Sequence, residues 1–231
     1  MVRQEMICIY CDDKFTEDFS LHRLFFNSKQ TACNQCLDRF EKITGQICEI
    51  CGCALQQQKL CTQCKESVES NPIQSVTSNR SIYQYNSEMK VWVNRFKFYG
   101  DVTLATMFIT DLREYYENYF KRFKIIVPIP LSEERLNERG FNQVEVFAEL
   151  AGLKLTRCLK RVHTERQSKL NRTERLQRKQ IFSFSREEKF QNEPILILDD
   201  VYTTGKTVRD AAIILLQNGA CEVFSLTLIR A

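Results

Sequence analysis

Four C-x2-C pairs stand within the first 64 residues: Cys8/Cys11, Cys33/Cys36, Cys48/Cys51 and Cys61/Cys64. Each pair puts two thiols on one tight turn, and two pairs complete the tetrahedron that Zn2+ prefers, with Zn–S distances of roughly 2.3 Å. A disulfide scaffold would need an oxidising compartment, yet the start, MVRQEMICIYCDDKF, lacks the apolar core of a signal peptide. Evenly paired C-x2-C units also do not suit an iron–sulfur cluster. Structural zinc is therefore the expectation. Chain order suggests one site from Cys8, Cys11, Cys33 and Cys36 and a second from Cys48, Cys51, Cys61 and Cys64, with interleaved pairing left open. Cys53 is spare, and Cys158 and Cys221, in apolar stretches, read as small core residues. Closed four-thiolate sites have no open coordination position, so such zinc folds the chain and does not catalyse.

The cysteines divide the chain. Residues 1–64 form a zinc module too small for a large core of its own, the polar stretch KESVESNPIQSVTSNR (65–80) reads as a linker, and residues 81–231 form a second domain. In that domain SIYQY reads as a short strand, and apolar residues at helical spacing mark helices over 89–99 and 103–120. KIIVPIP (124–130) is a continuous apolar run, as expected of a buried parallel strand entering a loop. An amphipathic helix follows from about Asn142 to Gly152, then a strand in RCLKRV (157–162). ILIL (195–198) is the strongest strand, followed by the helix TVRDAAIILLQNG and a last strand, CEVFSLTLI. Strands alternating with helices imply an α/β fold with a parallel sheet. No run of about 18 uncharged apolar residues exists, so no membrane insertion is expected.

In an open α/β sheet, ligands bind beyond the carboxyl ends of the strands, which directs attention to ILILDDVYTTGKTV. There an apolar strand delivers Asp199 and Asp200, and Thr203, Thr204, Gly205, Lys206 and Thr207 lead into a helix. Hydroxyls and backbone N–H groups at a helix start form an anion nest, and Gly205 lets the backbone approach closely. Two carboxylates beside that nest would repel phosphate but accept hydrogen bonds from sugar hydroxyls. A sugar phosphate satisfies both halves. Gly205-Lys206-Thr207 also imitates the end of a Walker A loop, but that motif needs glycine five residues before Gly205, where the chain has Asp200.

ILILDDVYTTGKTV resembles the phosphoribosyl pyrophosphate (PRPP) signature of type I phosphoribosyltransferases. Together with VPIPLSEERLNERGFNQ, the upstream RFKFYGD (95–101), RQSKLNRTER and the N-terminal cysteine pairs, the whole chain resembles the ComF/ComFC family of competence proteins. The resemblance implies a type I phosphoribosyltransferase-like parallel sheet flanked by helices, behind a small zinc module. It implies that Asp199 and Asp200 hold the 2′ and 3′ ribose hydroxyls and that Thr203–Thr207 bind the 5′-phosphate. The loop after VPIP then serves the pyrophosphate, Mg2+ arrives with PRPP, and Arg139 of RGFNQ is the anion contact. The polar segment 163–176 stands where such enzymes carry a hood loop, with Lys169, Arg172 and Arg175 as candidates; His163 reads as a surface residue, and His22 lacks ligand spacing.

The family acts in natural transformation, which implies a cytoplasmic location, with the inner face of the membrane reached only through partners. The implied partners are PRPP, incoming single-stranded DNA, and the DNA-uptake and recombination-mediator proteins of the competence machinery. Charge agrees: Lys154 to Lys179 holds ten basic residues against Glu165 and Glu174, a footprint suited to a nucleic-acid backbone or to a solvated loop with PRPP contacts. Phe182 and Phe184 follow as candidates for base stacking or for a strand. An active phosphoribosyltransferase with an unidentified acceptor is the alternative, and a scaffold with a vestigial pocket is the third. The sequence assigns no catalytic residue.

Overall fold

The computed structural model describes residues 5–16, 29–70, 77–162 and 181–231. A four-stranded parallel sheet organises the chain. Its strands are β3 (Ser78–Gln84), β4 (Ile125–Pro128), β7 (Pro194–Tyr202) and β8 (Glu222–Arg230), in the order β3-β8-β7-β4. β7 is apolar along its first half because both of its faces are covered. Leu196 and Leu198 point into one core, and Ile195 and Ile197 into the other.

The first core is roofed by α3 (Ser87–Phe98), by a 3-10 helix (Val102–Phe108) that runs into α4 (Ile109–Tyr115) and a π turn (Tyr116–Phe120), and by α6 (Gln143–Ala151). Met89, Trp92, Val93 and Phe96, at the three- and four-residue spacing of one helical face, are the buried residues of α3, and Asn86 caps it by accepting from Met89 N at 2.8 Å. Asn142 caps α6 in the same way at 3.0 Å, and Gly152 closes it with a left-handed backbone. Between β4 and α6 lies α5 (Glu133–Arg139), a helix where the sequence reading saw only a loop; Ser132 caps it and Gly140 ends it. Its residues are all at least partly exposed, so no apolar stripe announces it.

The second core lies under α7 (Lys206–Gln217), which buries Val208, Ala211, Ala212, Ile214 and Leu215. Beside it β5 (Leu159–Arg161) pairs antiparallel with β6 (Phe182–Phe184), apart from the main sheet. The strand expected at 157–162 therefore exists but does not join the parallel sheet. Phe182 is buried and Phe184 stacks edge-on against Phe190 at 5.5 Å, so neither ring is presented for base stacking. Cys158 is buried as expected, whereas Cys221, read as a core residue, is exposed.

The cysteine-rich portion contains the short hairpin β1 (Glu5–Ile7) and β2 (Lys14–Thr16), the single turn α1 (Asn34–Leu37), and α2 (Thr62–Ser70). Within the span read as a linker, residues 65–70 continue α2 and residues 78–80 begin β3. The free edge of β3 is covered by this portion: Ile43 N donates to Ile82 O at 2.8 Å, Gln84 N to Glu41 O at 2.8 Å, and Asn79 N to Ile50 O at 2.7 Å. An open sheet edge, a template for unwanted pairing, is thus closed by the chain itself.

Candidate functional site

Asp199 and Asp200 stand near the carboxyl end of β7, directly before the turn that carries Thr203, Thr204 and Gly205 into α7. Sequence alternation sends their side chains to opposite faces of the strand. Asp200 forms an ion pair with Lys97, the two side chains being 16% and 12% exposed. Asp199 accepts from the Asp200 N–H at 2.9 Å. Loss of water around Asp199, and then the neighbouring Asp200 charge, push its carboxyl up to about 7, against the opposing pull of that N–H bond, Lys97 and Arg161. Arg161 is in turn lowered by its own desolvation and by Arg135, and raised by Asp199. Lys97 of α3 thus pairs with Asp200, and Arg161 of β5 acts on Asp199 only through its charge.

Gly205 has φ of 74°, and a Cβ there would overlap the Tyr202 hydroxyl and the Arg209 guanidinium. Only glycine lets the turn close at this point. Thr203, Thr204 and Lys206 are exposed and Thr207 is half-buried. Thr204 Oγ1 accepts weakly from Lys206 N at 3.4 Å, and the Lys206 ammonium turns along its own helix to Asp210. What faces the turn is thus hydroxyls and the first N–H groups of a 12-residue helix, a positive dipole end suited to an anion.

Arg139, the last residue of α5, is half-buried. Its Nη1 donates to Gln143 Oε1 at 2.9 Å and its guanidinium lies 5.7 Å from the centre of the Phe98 ring. The Nε of Arg139 and the Nε2 of Gln143, both buried, have no acceptor among the described residues. Asn142 donates to Ile129 O at 3.1 Å, tying the loop after β4 to the start of α6. Arg139 and Lys97 converge from two sides: Phe98, against Arg139, follows directly on Lys97, which reaches Asp200. Lys97 was not singled out from sequence. The signal available was a cation in the last turn of a helix, beside Arg95, whose neighbour Phe96 belongs to the core.

Lys169, Arg172, Arg175 and His163, with His22, lie outside the described residues. Of the described members of that basic stretch, Arg157 is held by Glu145 at 2.9 and 3.0 Å, and the Arg161 guanidinium lies 5.8 Å from the centre of the Phe182 ring.

The eight paired cysteines gather in chain order. Cys8, Cys11, Cys33 and Cys36 form one group and Cys48, Cys51, Cys61 and Cys64 another, and within each group the sulfurs lie within 4.8 Å of one another. The Cys11–Cys33 and Cys51–Cys61 Sγ distances, 3.9 and 3.8 Å, match the edge of about 3.8 Å of a tetrahedron with Zn–S near 2.3 Å. Backbone N–H groups point at the sulfurs, from Cys33 to Cys8 at 3.2 Å and from Cys61 to Cys48 at 3.5 Å. Burial raises the Cys8 and Cys48 thiols, but such N–H bonds outweigh it and bring both down to about 7. Both groups therefore fit Zn2+, which would act by cross-linking. Cys53 belongs to neither group, and burial holds its thiol up at about 12.

No family model matches the chain. Curated relatives do. The chain is 38% identical over 234 residues to competence protein ComFC of Bacillus subtilis, spanning 98% of this chain and 96% of that one. The chain belongs to the ComF/ComFC family. A second relative, ComFC of Streptococcus pneumoniae, is 34% identical over 97% of this chain and 100% of its own, and competence protein F of Haemophilus influenzae is 27% identical over 88% and 92%. Both the cysteine-rich portion and the α/β portion fall inside the alignment with the first two family members. Among solved structures, similarity extends to orotate phosphoribosyltransferase from Aeropyrum pernix (TM-score 0.36, 16% identity, 58% of this chain and 63% of that chain). It also extends to purine phosphoribosyltransferase from Pyrococcus horikoshii (TM-score 0.35, 17% identity, 58% and 85%). No helix among the described residues is long and apolar enough to cross a membrane.

Proposed function

We propose that this family member binds PRPP with Mg2+ at the end of β7 and acts in natural transformation, in the cytoplasmic handling of incoming single-stranded DNA. The observation that carries the first half is the joining of an acid pair to an anion-receiving helix start within one turn of chain. In this reading Asp199 and Asp200 accept from the ribose hydroxyls, with Lys97 and Arg161 limiting their mutual repulsion. Thr203, Thr204, Thr207 and the N–H groups around Gly205 and Lys206 receive the 5′-phosphate. Arg139 and the loop after β4 meet the pyrophosphate, whose charge Mg2+ offsets. Each four-cysteine group holds one structural Zn2+.

The second half rests on the relatives' names as competence proteins. DNA-uptake and recombination-mediator proteins are the partners it implies, with Lys169, Arg172 and Arg175 as the candidate nucleic-acid contacts. Calorimetric titration of PRPP, with and without Mg2+, tests the pocket. Binding that needs Mg2+ and is lost in a folded Asp199→Asn/Asp200→Asn variant is the expected result; equal affinity in that variant would remove the site assignment. Neutralising Lys169, Arg172 and Arg175 together should weaken single-strand binding and flatten its salt dependence.

A further inference from the structure

The last strand ends on a charge. Arg230 closes β8 in register with Tyr202, the last residue of β7, and its guanidinium lies 5.3 Å from the centre of the Tyr202 ring. Nη1 of Arg230 reaches Tyr202 O only at 3.4 Å, and its buried Nε has no acceptor among the described residues. A cationic donor withdrawn from water without a partner carries the full cost of its lost hydration. Such a group asks for an anion.

A second guanidinium comes to the same place. Arg209, in the first turn of α7, brings Nη1 beside the Tyr202 hydroxyl, both within 2.7 Å of the point that a Cβ on Gly205 would occupy. No carboxylate pairs with either arginine among the described residues. Both line a cleft of about 150 Å3 to which no Asp or Glu contributes; Tyr202, Thr203, Thr204 and Ser67 supply hydroxyl-bearing side chains, and Cys51 and Cys64 of the second cysteine group border it. Zinc-bound thiolates are a net anion, yet they do not take up these donors: the hydrogen bonds to the sulfurs of Cys48 and Cys61 come from backbone N–H groups, and Arg230 Nε stays unmatched. Asp199, Asp200, Lys97 and Arg139 do not line the cleft.

We propose that this cleft is a second anion site, taking one small tetrahedral oxyanion of the phosphate class between Arg209 and Arg230. The planar guanidinium fork matches such an ion with two parallel N–H bonds. The volume falls short of the roughly 300 Å3 at which drug-sized ligand sites begin, so a free ion fits and a nucleotide does not. The site is separate from the acid pair and does not depend on PRPP binding; it meets the turn before α7 only through Thr203 and Thr204. An ion held there ties that turn to the second cysteine group, since Thr203 and Thr204 come from the one and Cys51 and Cys64 from the other.

Calorimetric titration of inorganic phosphate into the zinc-replete full chain tests the site, with Arg209→Gln, Arg230→Gln and Arg209→Lys as variants. The expected result is one phosphate per chain, bound about tenfold more weakly in each glutamine variant through loss of a charge-assisted pair. Arg209→Lys, which keeps the charge and not the fork, is expected to fall between. Zinc content and the circular dichroism spectrum are expected to stay as in wild type, and because Arg209 is only half-buried its variants report even where Arg230→Gln fails to fold. Phosphate affinity indifferent to both arginines overturns the proposal, because the ion then sits elsewhere, as at the 203–207 turn. Failure of wild type to bind phosphate overturns it as well, and zinc loss from the glutamine variants would then assign the arginines to the thiolate charge alone. A 5′-phosphorylated oligothymidylate that displaces phosphate at lower concentration than phosphate itself would give the cleft to a strand terminus and overturn the free-ion assignment.

Discussion

The two four-cysteine groups share their C-x2-C spacing and differ in what surrounds them. In the first, the two pairs are bridged by a long excursion, Cys11 and Cys33 being 22 positions apart; in the second, Cys51 and Cys61 are only 10 apart. The first group sits beside Tyr10 and Phe40, whose rings continue through Phe108 to Trp92 and so into the core under α3. The second lies against β3, where the packing is polar: Asn79 donates to Cys51 O at 3.3 Å and to Ser81 Oγ at 2.8 Å, Ser225 donates to Asn79 Oδ1 at 2.9 Å, and Ser81 meets Thr227 at 2.6 Å. The cleft of about 150 Å3, lined by Cys51, Cys64, Tyr202, Thr203, Arg209 and Arg230, lies between it and the turn before α7. Identical cysteine spacing thus anchors an aromatic core in one case and borders the turn before α7 in the other. Neighbours, not ligand spacing, decide what a structural metal holds in place.

That contrast breaks most visibly under cysteine substitution. Cys36→Ser should cost the chain one zinc and on the order of 5 kcal/mol of stability, because the first group shares the large aromatic cluster with the sheet. Cys61→Ser should cost less stability but weaken PRPP binding, through the cleft beside Tyr202. Zinc content, thermal melting and calorimetry read the two apart. Equal losses from both variants would erase the distinction.

Gly205→Ala comes next, with a cost on the order of 2 kcal/mol and loss of PRPP binding, since the left-handed turn admits no Cβ beside Tyr202. Chemical denaturation and calorimetry on the same samples check both. Asn79→Ala should cost about 1 kcal/mol, because it removes hydrogen bonds to the buried hydroxyls of Ser81 and Ser225, each of which keeps a second partner in Thr227 and Ser78. An unchanged denaturation midpoint would show that the polar ladder carries no stability.

The smallest effect is on pH. Asp199, pushed up to about 7, retains a proton in the folded state that the unfolded chain has lost near its ordinary 3.8. Its contribution to stability therefore falls as pH rises from about 4 to about 7. Ligand affinity moves the other way, rising a few-fold between pH 6 and 8 as the carboxylate forms. Lys97→Met should move that rise to higher pH by removing a counter-charge; a profile unaffected by the substitution would detach Lys97 from the acid pair.

Where sequence periodicity matched burial, the elements were legible. The α3 face at Met89, Trp92, Val93 and Phe96, the α6 caps at Asn142 and Gly152, and the ILILDD strand all follow from local pattern. The polar ladder did not. SNR before SIYQY reads as linker because Ser78, Asn79 and Arg80 are polar, and the burial of Asn79 depends on Ser225 and Thr227, nearly 150 positions away. Likewise α5 escapes detection because it buries no residue, and β5 looks like its parallel neighbours until its partner β6 is known. The acids and the turn were visible as chemistry. Lys97 reaches Asp200 only through tertiary proximity, which no spacing rule encodes.

The most direct test of the account is the crystal structure of the zinc-replete protein with PRPP and Mg2+. Ribose hydroxyls within about 3.2 Å of the Asp199 and Asp200 carboxylates, with the 5′-phosphate in the 203–207 turn, is the predicted result. PRPP bound elsewhere, or a turn left empty at saturating PRPP, would contradict it.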